Sequence, residues 1–230
     1  MRTVETPVGT ARMTTAPATR PWATLVLGHG AGGGVEAADL AALARHLPAR
    51  GVTVVRVESP WRVAGRKVAT PPPTLDGAWR AVLRDLRDAD ADGSDPHGGV
   101  PVVVGGRSAG ARVACRTALE VGALGCLALA FPLHPPGRPD RSRLAELTGA
   151  GVPTLVVQGE RDVFGGPEQF PRDERYVVRR VPWADHSLRV PAAAPLTQQE
   201  ALMLVVEEVS RWLKQLVGRP RQRDTLGRGR

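Results

Sequence analysis

The chain has 230 residues, 42% of them hydrophobic, which is enough for one well-cored domain and gives no indication of a second. The formal net charge of +8 comes from scattered arginines and one dense group at residues 219–230, so we expect a solvated surface rather than a nucleic-acid partner. The N-terminus holds no apolar segment of signal-peptide or membrane length, and Cys115 and Cys126 form no disulfide or metal-binding pattern, which favours the reducing cytoplasm and no membrane partner.

The first quarter of the chain predicts a hairpin and one β-α-β unit. Residues 3–15 flank a Pro-Val-Gly turn and predict a short hairpin. The apolar run 22–27 predicts a buried strand, which ends in the glycine-rich loop 28–34. Leucines at helical spacing predict a helix over 37–50, and the pattern returns to strand at 52–57.

The middle of the chain predicts a long loop, a helix and a central buried strand. Residues 59–73 form a loop rich in Arg and Pro, after which Thr74 caps an amphipathic helix. The polar stretch 88–99 predicts a surface loop. The β-branched run 102–104 predicts a strand buried on both faces, and a helix is expected over 109–121.

The remaining segments continue this alternation of strands and helices. Strands are predicted at 125–131, 153–157 and 175–181, with a short helix at 144–147 and a final amphipathic helix at 197–217 that opens on a Thr-Gln-Gln-Glu capping box. About twenty residues separate the first two of these strands, which is too few for a cap domain. The pattern therefore predicts an α/β fold with a mostly parallel, doubly wound sheet flanked by helices on both faces and no cap domain.

The segment Gly106-Arg107-Ser108-Ala109-Gly110 is the strongest indication of chemistry in the chain. It has the G-x-S-x-G pattern of a nucleophile elbow, in which a strained strand-to-helix turn exposes a serine at the end of a strand. Strand and helix approach closely beside that serine, so a side chain at Gly106 or Gly110 would collide with them. Ser108 is therefore the candidate nucleophile.

Asp162 and His186 each lie just past a predicted strand, at the sheet edge where Ser108 is expected. The order Ser, Asp, His along the chain is that of an α/β-hydrolase triad. His186 would take the serine proton, and Asp162 would fix the tautomer and orientation of the imidazole. Asp185 is the alternative acid, but Asp162 is favoured because it comes from the neighbouring strand end rather than from the residue next to His186.

Two backbone donors are expected to stabilise a tetrahedral oxyanion. We predict the N–H of Ala109, at a helix N-terminus, and the N–H of Ala31, in the His-Gly loop. That loop forms neither a complete G-x-G-x-x-G nor a Walker pattern, so a phosphate site is not indicated. The imidazole of His29 is expected to tie the loop down rather than to act as the base.

Four segments together resemble one family of small hydrolases: Leu-Gly-His-Gly-Ala-Gly-Gly-Gly at 27–34, Gly-Gly-Arg-Ser-Ala-Gly at 105–110, Gln-Gly-Glu-Arg-Asp-Val-Phe-Gly at 158–165 and Asp-His-Ser at 185–187. The family is the cap-less α/β-hydrolase group akin to dienelactone hydrolases, which includes testis-expressed hydrolase-like proteins and a subunit of a nuclear histone-acetyltransferase complex. The resemblance implies the α/β-hydrolase fold and a carboxylesterase-like or dienelactone-hydrolase-like activity. Val163 departs from it, because the family has proline after the triad aspartate.

The predicted substrate site draws on the loops at this edge of the sheet, and its expected residues are His29, Trp61, Arg62, Arg107, Leu133, His134 and Phe164. Two interpretations of Arg107 stay open: it binds an acidic substrate, or it pairs with a nearby carboxylate. No cluster of His, Cys, Asp and Glu has the spacing of metal ligands, so neither a metal nor a cofactor is expected. The expected partner is a small-molecule acyl substrate.

The sequence thus predicts a serine hydrolase that cleaves a small ester or related acyl bond through an acyl-enzyme. The alternative is a catalytically idle hydrolase fold that serves as a scaffold for protein interaction. The three triad residues favour the enzyme, since a scaffold has no physical need for them. We expect a single hydrolase domain over 1–217 and a basic, disordered tail over 218–230.

Overall fold

Eight strands form one sheet in the part of the chain that the computed structural model describes, which is residues 1–66, 70–91 and 99–218. In chain order they are β1 (Arg2–Thr6), β2 (Gly9–Ala16), β3 (Ala23–Gly28), β4 (Val52–Glu58), β5 (Val102–Arg107), β6 (Cys126–Leu129), β7 (Thr154–Gly159) and β8 (Tyr176–Val181). Their order across the sheet is β1-β2-β4-β3-β5-β6-β7-β8.

The sheet is mostly parallel. Strands β1 and β2 form the predicted hairpin, and β2 pairs with β4 in antiparallel fashion. Every other pairing, from β4 through β3, β5, β6 and β7 to β8, is parallel. All residues of β3, β6 and β7 are buried, which explains why these strands are continuous apolar runs rather than alternating ones.

Helices cover both faces of the sheet, as the sequence predicted. They are α1 (Ala38–His46), α2 (Pro60–Val63), α3 (Pro72–Ala91), α4 (Ala109–Thr117), α5 (Leu144–Thr148) and α6 (Gln198–Val217). Helices α1 and α6 bury most of their leucines and valines in one apolar cluster, whereas α3, α4 and α5 contribute to a second cluster on the opposite face. The chain is therefore a doubly wound α/β fold.

Helix α6 begins at the predicted capping box. The Thr197 hydroxyl accepts a hydrogen bond of 3.2 Å from the Glu200 N–H, and the Glu200 carboxylate accepts one of 2.6 Å from the Thr197 N–H. These bonds satisfy two backbone donors that the first helical turn would otherwise leave without partners.

The long helix α3 extends further than the sequence indicated. It begins at Pro72, before the predicted cap at Thr74, and its last residues include 88–91, which the polar composition had assigned to a loop. Burial of Val82, Leu83 and Ala89 explains the extension, because packing against the sheet outweighs local polarity. The rest of that predicted loop, 92–98, lies outside the described residues, as do 67–69 and the tail from 219 onward.

No cap domain interrupts the sheet. Between β6 and β7, where every residue is described, the only regular element is the five-residue helix α5. Within the described residues no helix is long and apolar enough to cross a membrane. Strands β3, β5, β7 and β8 run parallel to one another, so the loops that follow them lie at the same edge of the sheet.

Candidate active site

Ser108 occupies a strained turn between β5 and α4. Its backbone has φ 51° and ψ −111°, a conformation that costs a non-glycine residue about 1–3 kcal/mol. The flanking glycines make the turn possible. A Cβ on Gly106 would lie 2.6 Å from the carbonyl oxygen of Gly28, and one on Gly110 would lie 2.5 Å from the same oxygen. The turn points the serine side chain outward from the end of β5, as in a nucleophile elbow.

His186 bridges Ser108 and Asp162. Its Nε2 lies 2.9 Å from the Ser108 Oγ, and its Nδ1 lies 2.8 Å from the Asp162 Oδ2. The carboxylate can only accept, so Nδ1 carries the proton and Nε2 offers its lone pair to the serine hydroxyl. The structure thus brings together the three residues that the sequence singled out, in the geometry of a nucleophile, a base and an orienting acid.

The two candidate acids occupy different positions. The Asp162 side chain has no exposed surface, and its second oxygen accepts a hydrogen bond of 2.8 Å from the Phe164 N–H. Asp185 instead accepts the N–H groups of Ser187 and Arg189, at 2.7 Å and 3.0 Å. Asp185 therefore shapes the loop, and Asp162 is the acid in contact with the imidazole.

Gln158 is a supporting residue to which the sequence analysis gave no role. Its buried amide nitrogen donates to the Asp162 Oδ2 at 2.8 Å, to the Gly165 carbonyl at 2.8 Å and to the Phe131 carbonyl at 3.2 Å. The Gln158 amide thus connects Asp162, and the turn that follows Asp162, to the segment just after β6. A polar residue near the end of an otherwise apolar buried strand is the pattern that could have identified it.

The predicted oxyanion donors lie beside the serine. Ala31 and Ala109 line the same cleft as Ser108, and within the described residues neither N–H donates a hydrogen bond. The Ala109 N–H belongs to the first turn of α4, where the helix dipole also favours negative charge. This edge can therefore receive an anionic oxygen without breaking an existing hydrogen bond.

His29 holds the glycine-rich loop 28–34 to the start of α2. Its Nδ1 donates to the Gly30 carbonyl at 2.8 Å, and its Nε2 accepts from the Ser59 N–H at 3.0 Å. The Trp61 ring packs 5.5 Å from the imidazole, centroid to centroid. Burial lowers the pKa of His29, and the neutral ring is the form that satisfies both hydrogen bonds. Its contacts are those of a loop tie.

Arg107 is paired with a buried carboxylate. Its Nε donates to the Asp39 Oδ2 at 3.0 Å, and its Nη2 donates to the His186 carbonyl at 2.8 Å. Burial raises the pKa of Asp39, an effect that the guanidinium opposes. The sequence left open whether Arg107 binds an acidic substrate or pairs with a nearby carboxylate. In the structure it pairs with the carboxylate of Asp39.

A cleft of about 840 Å³, open mouth included, surrounds these residues. Phe164 lines it and packs on the His186 ring with centroids 4.1 Å apart. The cleft is also lined by Arg112, Pro132 and Arg143, none of which was predicted from the sequence as a site residue. Within the described residues no three His, Cys, Asp or Glu side chains converge as metal ligands would.

Five of the expected substrate residues do not line this cleft, and one of them is His29, which instead ties the loop 28–34 to the start of α2. Leu133 is buried in the core, and His134 donates to the Pro135 carbonyl at 2.9 Å and pairs with the Gln169 Oε1 at 2.8 Å. Trp61 lines a separate apolar pocket that shares Ala31 and Ala109 with the cleft. Arg62, on α2, is half-buried. The sequence predicted a loop at 59–73, but Trp61 and Arg62 lie on the short helix α2. The direction of the expected side chains was also not predicted correctly.

Solved structures of hydrolases share this architecture. A lid-less α/β serine hydrolase from Xanthomonas campestris aligns with a TM-score of 0.69 and 21% identity, over 92% of this chain and 93% of that chain. A serine hydrolase homologue from Coxiella burnetii gives 0.68 and 20%, over 92% and 96%. A dienelactone hydrolase from Anabaena variabilis gives 0.68 and 18%, over 93% and 95%.

No match was found among the curated proteins. At the identities of the solved structures, the likeness shows the fold. The sequence profile described as "Alpha/beta hydrolase domain" matches residues 21–214, which is most of the chain and includes all three residues of the hydrogen-bonded triad. The chain therefore belongs to the α/β-hydrolase domain family.

Proposed function

We propose that this chain is a serine hydrolase that cleaves a small ester or related acyl bond through an acyl-enzyme. The observation that carries the proposal is the continuous contact from Ser108 through His186 to Asp162, with distances of 2.9 Å and 2.8 Å. A serine hydroxyl is a weak nucleophile until a base removes its proton during attack, and this arrangement supplies that base.

In the first step the Ser108 Oγ forms a bond to the substrate carbonyl carbon. Its proton passes to the His186 Nε2, and the carbonyl oxygen takes the negative charge. Asp162 stabilises the imidazolium that results, because its buried carboxylate accepts the Nδ1 proton in a hydrogen bond. The N–H groups of Ala31 and Ala109 bind the oxyanion.

The tetrahedral intermediate collapses when the bond to the leaving group breaks. The leaving alcohol or thiol takes the proton from the His186 Nε2 and departs, and the acyl group stays on Ser108. Water then enters the open cleft and gives a proton to His186 as it attacks the acyl carbon. The second collapse releases the acid and returns the proton to the Ser108 Oγ.

The proposal also covers the type of activity, the substrate and the cellular location of the protein. We propose a carboxylesterase-like or dienelactone-hydrolase-like activity on a small acyl substrate, and kinship with the testis-expressed hydrolase-like group. A cytoplasmic location is supported by Cys115 and Cys126, whose buried free thiols lie 3.8 Å apart without a disulfide. The idle scaffold has no comparable support, because it needs no aligned triad.

Labelling with a fluorophosphonate probe tests the proposal directly. We expect one covalent adduct on wild-type protein at Ser108, and no adduct on Ser108→Ala. Ser187 lies in the same cleft, so Ser187→Ala is a matched control that should retain the label. Mass spectrometry of the labelled peptide identifies the site. An adduct on another residue, or undiminished ester hydrolysis by pure Ser108→Ala, would refute the proposal, and an unlabelled wild type would favour the scaffold.

A further inference from the structure

Three arginines line the cleft, and two of them have their charge balanced by carboxylates. Arg107 pairs with Asp39, as described above. Arg112 pairs with Glu146 through two hydrogen bonds, of 2.8 Å and 2.5 Å. Neither guanidinium is therefore available to an anion unless it gives up an existing partner.

The third arginine, Arg143, has no such partner. Its Nη1 donates to the carbonyl of Pro132 at 3.2 Å, and no carboxylate of the described residues lies within 4.0 Å of it. Burial lowers the pKa of Arg143, the positive charge of Arg112 lowers it further, and the carboxylate of Glu146, which already binds Arg112 and Arg116, opposes both effects. Partial burial and a neighbouring guanidinium both disfavour the charged form of Arg143, and a bound anion would offset these effects.

The surrounding charges leave a surplus at this wall of the cleft. Arg116, behind Arg112, shares Glu146 at 2.9 Å and also pairs with Asp76 at 2.6 Å. This group therefore contains three guanidinium groups but only two carboxylates. The guanidinium groups are those of Arg112, Arg116 and Arg143, and the carboxylates are those of Glu146 and Asp76. One positive charge of this group remains unbalanced. It is that of Arg143, which lines the cleft together with Ser108.

We propose that Arg143 binds a carboxylate of the substrate, so that the preferred substrates are esters that carry a free carboxylate a few bonds from the scissile carbonyl. The inference rests on the proposed function, because it names the substrate class of the same cleft. A planar guanidinium matches a carboxylate with two donors, and such charge-assisted hydrogen bonds are about twice as strong as neutral ones. The carboxylate itself is unchanged by the reaction.

Two substrates of similar size test the charge preference. Hydrolysis of p-nitrophenyl hemisuccinate is compared with that of p-nitrophenyl butyrate, in which a methyl group replaces the carboxylate. We expect wild-type protein to favour the hemisuccinate in kcat/KM, and Arg143→Met to lower the hemisuccinate-to-butyrate ratio by about tenfold or more. Arg143→Lys, which keeps the charge but not the planar donor pair, should lower the ratio less.

The matched control is Arg141→Met, because Arg141 is exposed in the same loop and does not line the cleft. Its ratio should equal that of the wild type. High salt should reduce the wild-type ratio, since exposed charge interactions are screened. A second pair, 4-carboxyphenyl acetate against phenyl acetate, places the carboxylate on the leaving group, and a preference in either pair that Arg143→Met abolishes supports the proposal.

The outcomes separate this inference from the proposed function. If wild-type protein hydrolyses the neutral esters through Ser108 but favours neither anionic ester, the carboxylate site is refuted and the hydrolase stands. The same holds if a preference survives in Arg143→Met. Should that variant fail to fold, Arg143→Gln and the salt dependence of the wild type decide in its place. If wild-type protein hydrolyses none of the esters and Ser108 takes no label, both proposals fail.

Discussion

The guanidinium of Arg107 donates a hydrogen bond of 2.8 Å to the backbone carbonyl of His186. The same guanidinium is fixed by Asp39, whose carboxylate is buried on α1. The residue before Ser108 in sequence thus holds the loop that carries His186. Three elements, β5, α1 and the loop after β8, are coupled through one side chain.

Arg107→Met should therefore lower both stability and turnover. Loss of the guanidinium leaves Asp39 buried without its partner, which costs about 3–5 kcal/mol of unfolding free energy. It also frees the His186 loop, so we expect kcat to fall by about tenfold or more while KM changes little. Urea denaturation gives the first quantity, and ester hydrolysis at a temperature where circular dichroism shows the folded state gives the second.

The matched control for that prediction is an exposed ion pair. Arg50 and Glu207 pair on the surface, far from the cleft. Glu207→Gln should change the unfolding free energy by about 1 kcal/mol or less and leave kcat unchanged. If folded Arg107→Met keeps the wild-type kcat, the positioning role is wrong and the pair serves stability alone.

The two aspartates near the base should differ sharply. Asp162→Asn should reduce kcat by about 10⁴-fold, because an amide favours the wrong tautomer of His186. Asp185→Asn should reduce it by about tenfold at most, since the oxygen of Asp185 contacts backbone N–H groups rather than the imidazole. Initial rates with one p-nitrophenyl ester compare the two variants. A larger loss in Asp185→Asn would reverse the assignment of the acid.

The fold was accessible from the sequence because it follows from periodicity, and the three candidate residues were accessible because Ser108 lies in a G-x-S-x-G motif and all three follow predicted strands. Apolar runs identify the strands, and in a parallel sheet the residues just past those strands meet at one edge. The order of Ser108, Asp162 and His186 along the chain then sufficed to predict that they come together. Their distances of 2.9 Å and 2.8 Å are findings of the structure alone.

The residues around the triad could not be predicted in this way. Arg107 and Asp39 are 68 positions apart, and only the packing of α1 against the sheet brings them together. His134 follows a strand as the triad residues do, but its ring turns toward Gln169 rather than the cleft. Loop side chains take their direction from tertiary contacts, for which periodicity gives no information.

Gln158 should prove important although it touches no substrate. Gln158→Met removes the amide donor from Asp162 and from two backbone carbonyls, all of them buried. We expect the unfolding free energy to fall by about 1–3 kcal/mol and kcat to fall by about tenfold. Gln158→Glu places a second carboxylate beside Asp162 and should reduce kcat further. Equal kcat in Gln158→Met and wild type would contradict the prediction.

Two buried histidines should respond to pH in opposite directions. The pKa of His29 is lowered by burial, whereas that of His134 is raised, first by its hydrogen bond to Gln169 and then by that to Pro135. As pH falls below about 6.5, the unfolded chain binds a proton that folded His29 refuses, so this residue costs stability. His134 contributes stability below about 6.5 and loses it as pH rises through its folded pKa.

Denaturation at about pH 7.5 and about pH 5.5 separates these effects, because each variant removes one of them. His29→Asn should lose less unfolding free energy on acidification than wild type loses. His134→Asn should lose more, since it lacks the group that acid stabilises. Equal changes in the two variants would contradict the assignment of the two histidines.

Short acyl groups should be the best neutral substrates, because no helix or strand of the described residues forms a lid over the cleft. Trp61 could have folded over the site, but it is 3% exposed and packs inward on His29. The apolar pocket beside Ala31 and Ala109 has a volume of about 450 Å³, open mouth included, against about 840 Å³ for the cleft, so it offers less room for a long chain. A buried methylene gains about fourfold in affinity, but one that stays in water gains nothing. In a series of p-nitrophenyl esters we therefore expect kcat/KM to be highest at acetate or butyrate. A maximum at octanoate or longer would show that the protein covers its substrate after all.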